Sequence, residues 1–306
     1  MTTTPYDEFG YFSDNASEHG IAYEAPPVVR REMVNLPDGR EMSALVWGTE
    51  PPELMLIHGG AQNAHTWDTV ALALGRPLVA VDMPGHGHSG PPESGATNVE
   101  RNAQDIAHVF RALAPQADLV VGMSLGGLVS ISMAEQDPGL FGTLMLVDMT
   151  PGVTRDKAKA IHNFVNGPES FESFDDLLAR TMEFNPTRTE SSLRRGILHN
   201  ALQREDGTWV WRHARHRVFE HPTPDSADYD ERYRSLWDAL EHHDGPVCLA
   251  RGMREQSVVD DSDETELLRR RPDARVEHFA DAGHSIQGDM PIELAAFISA
   301  VLDGGA

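Results

Sequence analysis

The sequence predicts an α/β fold: a mostly parallel central sheet flanked by helices, with a helical block inserted late in the sheet. Three observations predict it. Short continuous apolar runs, such as Leu54–Ile57 and Leu144–Val147, alternate with longer segments of helical spacing. Strands that are apolar on both faces belong to sheets covered on both sides. The alternation then stops after Asp148 and resumes at Val247, so the stretch between them is an insertion.

Taken in order, residues 1–26 are polar and acidic and read as a loosely attached N-terminal arm ending at Pro26-Pro27. Val28–Leu36 and Glu41–Trp47 flank Pro37-Asp38-Gly39, a turn signal, and form an expected hairpin. Leu54–Ile57 runs into His58-Gly59-Gly60, and Leu78–Val81 into the glycine-rich loop from Asp82 to Gly90. Leu119–Val121 and Leu144–Val147 are the next two strands. Thr66–Leu74, Asn98–Leu113 and Leu125–Gln136 have helical length and spacing. Between 152 and 245 only helices are expected, at Arg155–Val165, Phe171–Phe184, Ser191–Gln203 and Tyr229–Leu240. Val247–Ala250, a helix around Ser262–Arg271, a strand at Arg275–Phe279 and a last helix at Pro291–Leu302 complete the pattern. The expected division is an arm (1–26), a core (27–151 and 246–306) and a helical cap (152–245). Right-handed crossovers put the C-terminal ends of parallel strands on one edge, where ligands bind, and the inserted block must emerge over that edge.

Composition narrows the function. Hydrophobic residues make up 40% of the 306, which excludes a disordered chain. Lys and Arg number 25 against 48 Asp and Glu, a net charge of −23 that repels phosphate backbones and anionic membranes. No nucleic-acid or membrane partner is expected. The one cysteine, Cys248, excludes an internal disulfide and lies in an apolar run that reads as packing. No apolar stretch approaches the ~20 residues that span a bilayer, and the first residues lack the pattern of a signal peptide. A cytoplasmic setting is expected.

Gly122-Met123-Ser124-Leu125-Gly126 carries the strongest chemical signal. A G-x-S-x-G spacing directly after an apolar strand and opening a helix is the context in which a serine sits on a strained, exposed turn. The residues two before and two after must then lack side chains, and the helix N-terminus favours developing negative charge at Ser124. Serine needs a base. His284, in Asp281-Ala282-Gly283-His284-Ser285, follows the last strand and so lies on the same edge. Its position, not its type, singles it out among 15 histidines. A carboxylate must orient that imidazole, and two are available: Asp148, ending the strand after the serine's helix, and Glu255, in the loop after the next strand. Asp148 is preferred, because an acid ending an apolar strand is costly without a partner. An oxyanion hole needs two N–H donors, and Leu125 and Gly60 are the candidates. His58, Asp82 and His86 read as loop-organising residues.

The order His58-Gly59-Gly60, Asp82-Met83-Pro84-Gly85-His86-Gly87, Gly122-x-Ser124-x-Gly126, insertion and Gly283-His284 closely resembles the α/β-hydrolase superfamily over residues 28–151 and 246–303. The resemblance implies a Ser–His–acid triad and no cofactor. Most members carry an Asp where Glu255 stands, while some capped esterases and lactonases place the acid where Asp148 stands. Serine at the elbow separates the chain from relatives with a carboxylate nucleophile. The implied reaction is cleavage of a carboxylic ester or lactone of a small hydrophobic molecule through an acyl-serine. The alternatives are a C–C bond hydrolase of β-diketone type using the same residues and a non-catalytic binding protein on the same scaffold. His86-Gly87-His88, His213-Ala214-Arg215-His216 and His242-His243-Asp244 bring ligand-type residues close together without a metal framework, so no metal is expected. Trp209, Trp211 and Trp237, with Phe164, Phe171, Phe174, Phe184 and Met182, either roof an apolar pocket or pack the cap helices on one another.

Overall fold

The computed structural model describes residues 6–92, 98–213 and 226–304. The chain begins with α1 (Phe12–His19), closed by Gly20 in the left-handed conformation. The hairpin of β1 (Val29–Asn35) and β2 (Glu41–Trp47) follows, in a register pairing Val29 with Trp47 and Asn35 with Glu41. Next come β3 (Leu54–Ile57), a short 3₁₀ turn at Ala64–Trp67, α2 (Asp68–Leu74) and β4 (Leu78–Val81). Then come α3 (Val99–Leu113), β5 (Leu119–Met123), α4 (Leu125–Gln136) and β6 (Thr143–Val147). The insertion contains α5 (Lys159–Val165), β7 (Ser170–Phe171), α6 (Phe174–Phe184), α7 (Glu190–Asn200), β8 (Ala201–Gln203), β9 (Trp209–Trp211) and α8 (Ser226–Glu241). The chain closes with β10 (Val247–Gly252), α9 (Asp261–Arg270), β11 (Arg275–Phe279), α10 (Ile286–Asp289) and α11 (Pro291–Leu302).

The main sheet has eight strands in the order β1-β2-β4-β3-β5-β6-β10-β11. The β1–β2 and β2–β4 pairs are antiparallel and the remaining five are parallel. Side chains of the central strands alternate between two buried clusters. Met55, Ile57, Leu144, Leu146, Val247 and Leu249 face α3, α4, α8 and α9. Leu54, Leu56, Met145, Val147, Cys248 and Ala250 face α1, α2 and α11. Apolar side chains on both faces are thus explained by helices on both sides.

Three features differ from the sequence reading. The arm is docked rather than loose: Phe12 is 2% exposed against the Trp47 ring, and Glu8 joins Arg31 of β1. Phe12 and Ala16, four residues apart and both buried, form one apolar face of α1, and Phe12 joins the core. The insertion is not purely helical, because β7, β9 and β8 form a small antiparallel sheet. Gly207, with φ +90°, closes the β8–β9 hairpin after Asp206, and Trp209 packs with Phe171 and Ile197. Finally, α8 covers the core sheet, with Leu236, Trp237 and Leu240 buried beside α4. Roofing a cleft would leave that apolar stripe wet, and the sheet buries it.

Candidate active site

Because β3 to β6, β10 and β11 run parallel, their C-terminal ends share one edge. Ser124 stands between β5 and α4 with φ 52° and ψ −120°. Gly122 and Gly126 make that turn possible. A methyl group on Gly122 would collide with Ser130 Oγ and the Gly126 carbonyl, and one on Gly126 with the carbonyls of Ile57 and His58. Among the described residues, Ala61, Ser124 and Asp148 are the non-glycine residues with positive φ, and each follows a strand on this edge. Backbone strain is held where surrounding structure over-determines it, most often at functional sites.

Asp148, fully buried after β6, accepts four hydrogen bonds. His284 Nδ1–H donates to Oδ2 over 2.9 Å, and the Val258 N–H reaches the same oxygen over 3.0 Å. Ser257 Oγ donates to Oδ1 over 2.6 Å and the Gly252 N–H over 3.0 Å. These donors satisfy both carboxylate oxygens without solvent. The loop after β10 therefore serves as a cradle for an acid carried by β6. Glu255, in that same loop, is exposed, and among the described residues its hydrogen bond is from Gln256 Nε2, at 3.5 Å. Neither Ser257 nor Gly252 was marked in the sequence, since no local pattern announces a donor to a residue over a hundred positions away.

The loop after β3 is braced from below. His58 Nδ1–H donates to the Gly59 carbonyl (2.7 Å), and its Nε2 accepts from the Met83 N–H (3.0 Å). Burial, with His86 alongside, pushes the His58 pKa down to about 3, so the ring is neutral. His86 Nε2 accepts the Ala61 N–H (3.1 Å), and Gln62 Oε1 accepts that of Gly59 (3.0 Å). The Gly60 N–H between them has no partner among the described residues. The Leu125 N–H opens α4, where no carbonyl four residues back is available. Asp82 accepts from Ala64 and His88 N–H and pairs with Arg31, which makes it a loop anchor.

Among the described residues one trio brings metal-type ligand atoms within 4.8 Å: His65, Asp68 and His199. His65 donates from Nδ1 to Asp68 (2.9 Å) and from Nε2 to Glu8 (3.1 Å). Burial would lower its pKa, but the Asp68 carboxylate and these hydrogen bonds raise it to about 9. The ring is thus cationic near neutral pH, and a metal ion would first have to displace its proton. It stacks on His199 with 11° between planes, so the in-plane lone pairs of the two rings lie in nearly parallel planes. Of the other histidine groups, His86 spends both ring nitrogens on loop contacts, and His242 and His243 bond to carbonyls. Residues 214–216 lie outside the described residues. Cys248 is buried, which pushes its thiol pKa up to about 11.

The insertion docks on this edge. Asn200 Nδ2 donates to the Ala61 carbonyl (2.6 Å), and Asn63 Nδ2 donates to the His199 carbonyl (3.2 Å). Trp209 and Phe171 are consumed in packing the insertion and Trp237 in the core, whereas Phe164 and Trp211 border a cavity of about 140 Å³ beside the loop after β3. A larger cleft, about 760 Å³, lies around Asp118 and Gly245 at the opposite ends of the strands.

Residues 54–297 match the model of the alpha/beta hydrolase family. Esterase Rv0045c of Mycobacterium tuberculosis is 39% identical over 307 aligned positions, covering 98% of this chain and 97% of that protein. A solved structure of that esterase superposes with a TM-score of 0.83 at 39% identity, over 98% of this chain and all of the other. An sn-1-specific diacylglycerol lipase, ABHD11, of Xenopus laevis is 26% identical over 249 positions, 78% of this chain and 75% of the lipase. No helix among the described residues is long and apolar enough to cross a membrane.

Proposed function

The chain belongs to the alpha/beta hydrolase family and is an ester hydrolase, and from that premise we propose that Ser124, His284 and Asp148 form its catalytic triad, acting on a carboxylic ester or lactone of a small molecule. Ser124 Oγ attacks the carbonyl carbon as His284 Nε2 takes its proton. Asp148 holds the imidazole by Nδ1–H and offsets the positive charge that forms there. The tetrahedral oxyanion lies between the Gly60 and Leu125 N–H groups. His284 returns the proton to the leaving alcohol, and the acyl-serine is opened by water that His284 deprotonates. The observation that carries this reading is the 2.9 Å bond from His284 to a buried, four-fold bonded carboxylate, on the same edge as a strained serine. The α5–β9 segment of the insertion acts as the cap. A cytoplasmic setting suits the single buried thiol.

The test is Ser124→Ala, with far-UV circular dichroism to verify the fold. Turnover of 4-nitrophenyl butyrate is expected to fall by about three orders of magnitude or more. Labelling by a fluorophosphonate is expected to vanish with it. Activity retained by the purified variant would remove Ser124 from the mechanism.

A further inference from the structure

The cavity beneath α7 lies beside the proposed site, with Gln62 between them. Gln62 lines it, and a methyl group placed on Gly59 would lie 3.3 Å from Gln62 Oε1 and 3.2 Å from Ser124 Cβ. Gln287, on the helix that begins two residues after His284, forms another wall. Arg188 lines the same space. Its guanidinium lies over Gly288, where any side chain would collide with Nη1. Nη2 bonds to Ser192 Oγ, and Nε is shut off from solvent with no hydrogen-bond partner. Among the described residues no carboxylate stands within ion-pair distance of it.

The acids nearest to it are already engaged. Asp289 accepts from Thr187 Oγ1 (2.9 Å) and the Gly283 N–H (2.8 Å), and Glu18 is held by Arg195 and Thr189. Burial pushes the Arg188 pKa down, Asp289 and Glu18 oppose that, and Arg195 adds to it. A half-buried guanidinium whose Nε is sealed from solvent, with no counter-ion in contact, is costly to hold charged, and a planar carboxylate matches its fork of donors. Gln287 Oε1 is also buried without a partner, so its amide can rotate to present donors. Phe164, Leu193, Ile197 and Trp211 supply apolar wall for a short chain.

We propose that this cavity binds an ionised carboxyl group on the ester itself, with Arg188 as its counter-ion, so that the preferred substrates are small esters carrying a second, free carboxylate. The inference rests on the triad reading. A volume of about 140 Å³, roughly five water volumes, limits the chain to a few carbons.

Two matched pairs test it. The mono-4-nitrophenyl ester of glutaric acid is compared with 4-nitrophenyl valerate, and 4-butyryloxybenzoate with phenyl butyrate, which places the carboxylate on the acyl or the leaving side. The charged member of one pair is expected to be favoured tenfold or more in kcat/KM, mainly through KM. That preference is expected to collapse in Arg188→Gln and to survive in part in Arg188→Lys. Equal preference in wild type and Arg188→Gln would overturn the proposal, as would preference for both neutral esters. Free glutarate supplies a readout that needs no variant and no turnover. It is expected to bind Ser124→Ala saturably in calorimetry and to compete with 4-nitrophenyl valerate in the wild type. Absence of glutarate binding would overturn the carboxylate site and leave the triad standing, whereas full activity of Ser124→Ala would overturn the triad and leave a glutarate site standing.

Discussion

Asp148 illustrates what a single residue settles. A buried carboxylate without partners is costly, and four donors satisfy this one. Asp148→Asn keeps the shape while disturbing the tautomer of His284, so kcat is expected to drop by about three to four orders of magnitude. Glu255→Gln alters an exposed side chain and is expected to change kcat/KM by less than twofold, and steady-state kinetics on both variants checks the contrast. Ser257 touches the acid and not the substrate, which makes it a positioning residue. Ser257→Ala is expected to lower kcat about tenfold, the order of one hydrogen bond to a charged group, and to displace the pH–rate profile. An acid closing an apolar strand can be read in the sequence, because burial demands a partner. The donors that satisfy it come from a loop beyond the insertion, and no pattern of residue types encodes that approach.

At the scale of elements, the parallel strands were legible because each is apolar on both faces and is followed by helical spacing. The first helix was not. Phe12–His19 is mostly polar, and its only local signals are Phe12 and Ala16 on one face and Gly20 at its end. Its stability comes from packing on the Trp47 ring. Phe12→Ala is therefore expected to cost about 3 kcal/mol in urea unfolding, the range for a deleted core aromatic. A loosely tethered arm would lose almost nothing. The β8–β9 hairpin is a different kind of omission, since Asp206-Gly207 before Trp209-Val210-Trp211 is a hairpin signal that the helical spacing around it obscured.

The whole molecule is joined by a polar cluster as well as by its core. Glu8 of the arm bridges Arg31 and His65, and His65 stacks on His199 of α7. Burial would raise the Glu8 pKa, but hydrogen bonds from His65 and Arg31 outweigh it and lower the value to about 2. Glu8 thus adds stability above its unfolded value near 4.5, and that contribution is lost as pH falls toward 2. His65, raised to about 9, adds stability that is complete below 6.5 and lost as pH rises through 9. The Tm difference between wild type and His65→Gln is therefore expected to be largest between pH 4.5 and 6.5 and to shrink above pH 9. Differential scanning calorimetry across that range checks it, and a difference that grows with alkalinity would contradict the assignment.

The serine and its distant acid follow neighbouring strands, tied where the Ser124 N–H meets the Val147 carbonyl at 3.3 Å. Their separation is therefore fixed by the ladder spacing of a sheet, about 4.8 Å per strand. The histidine comes from the loop after β11, two positions further along, and its ring is what ties it to the acid. Any breathing of the cleft will displace the proton carrier while the other two partners stay in step, so turnover is most exposed to substitutions that slacken the sheet's outermost ribbon.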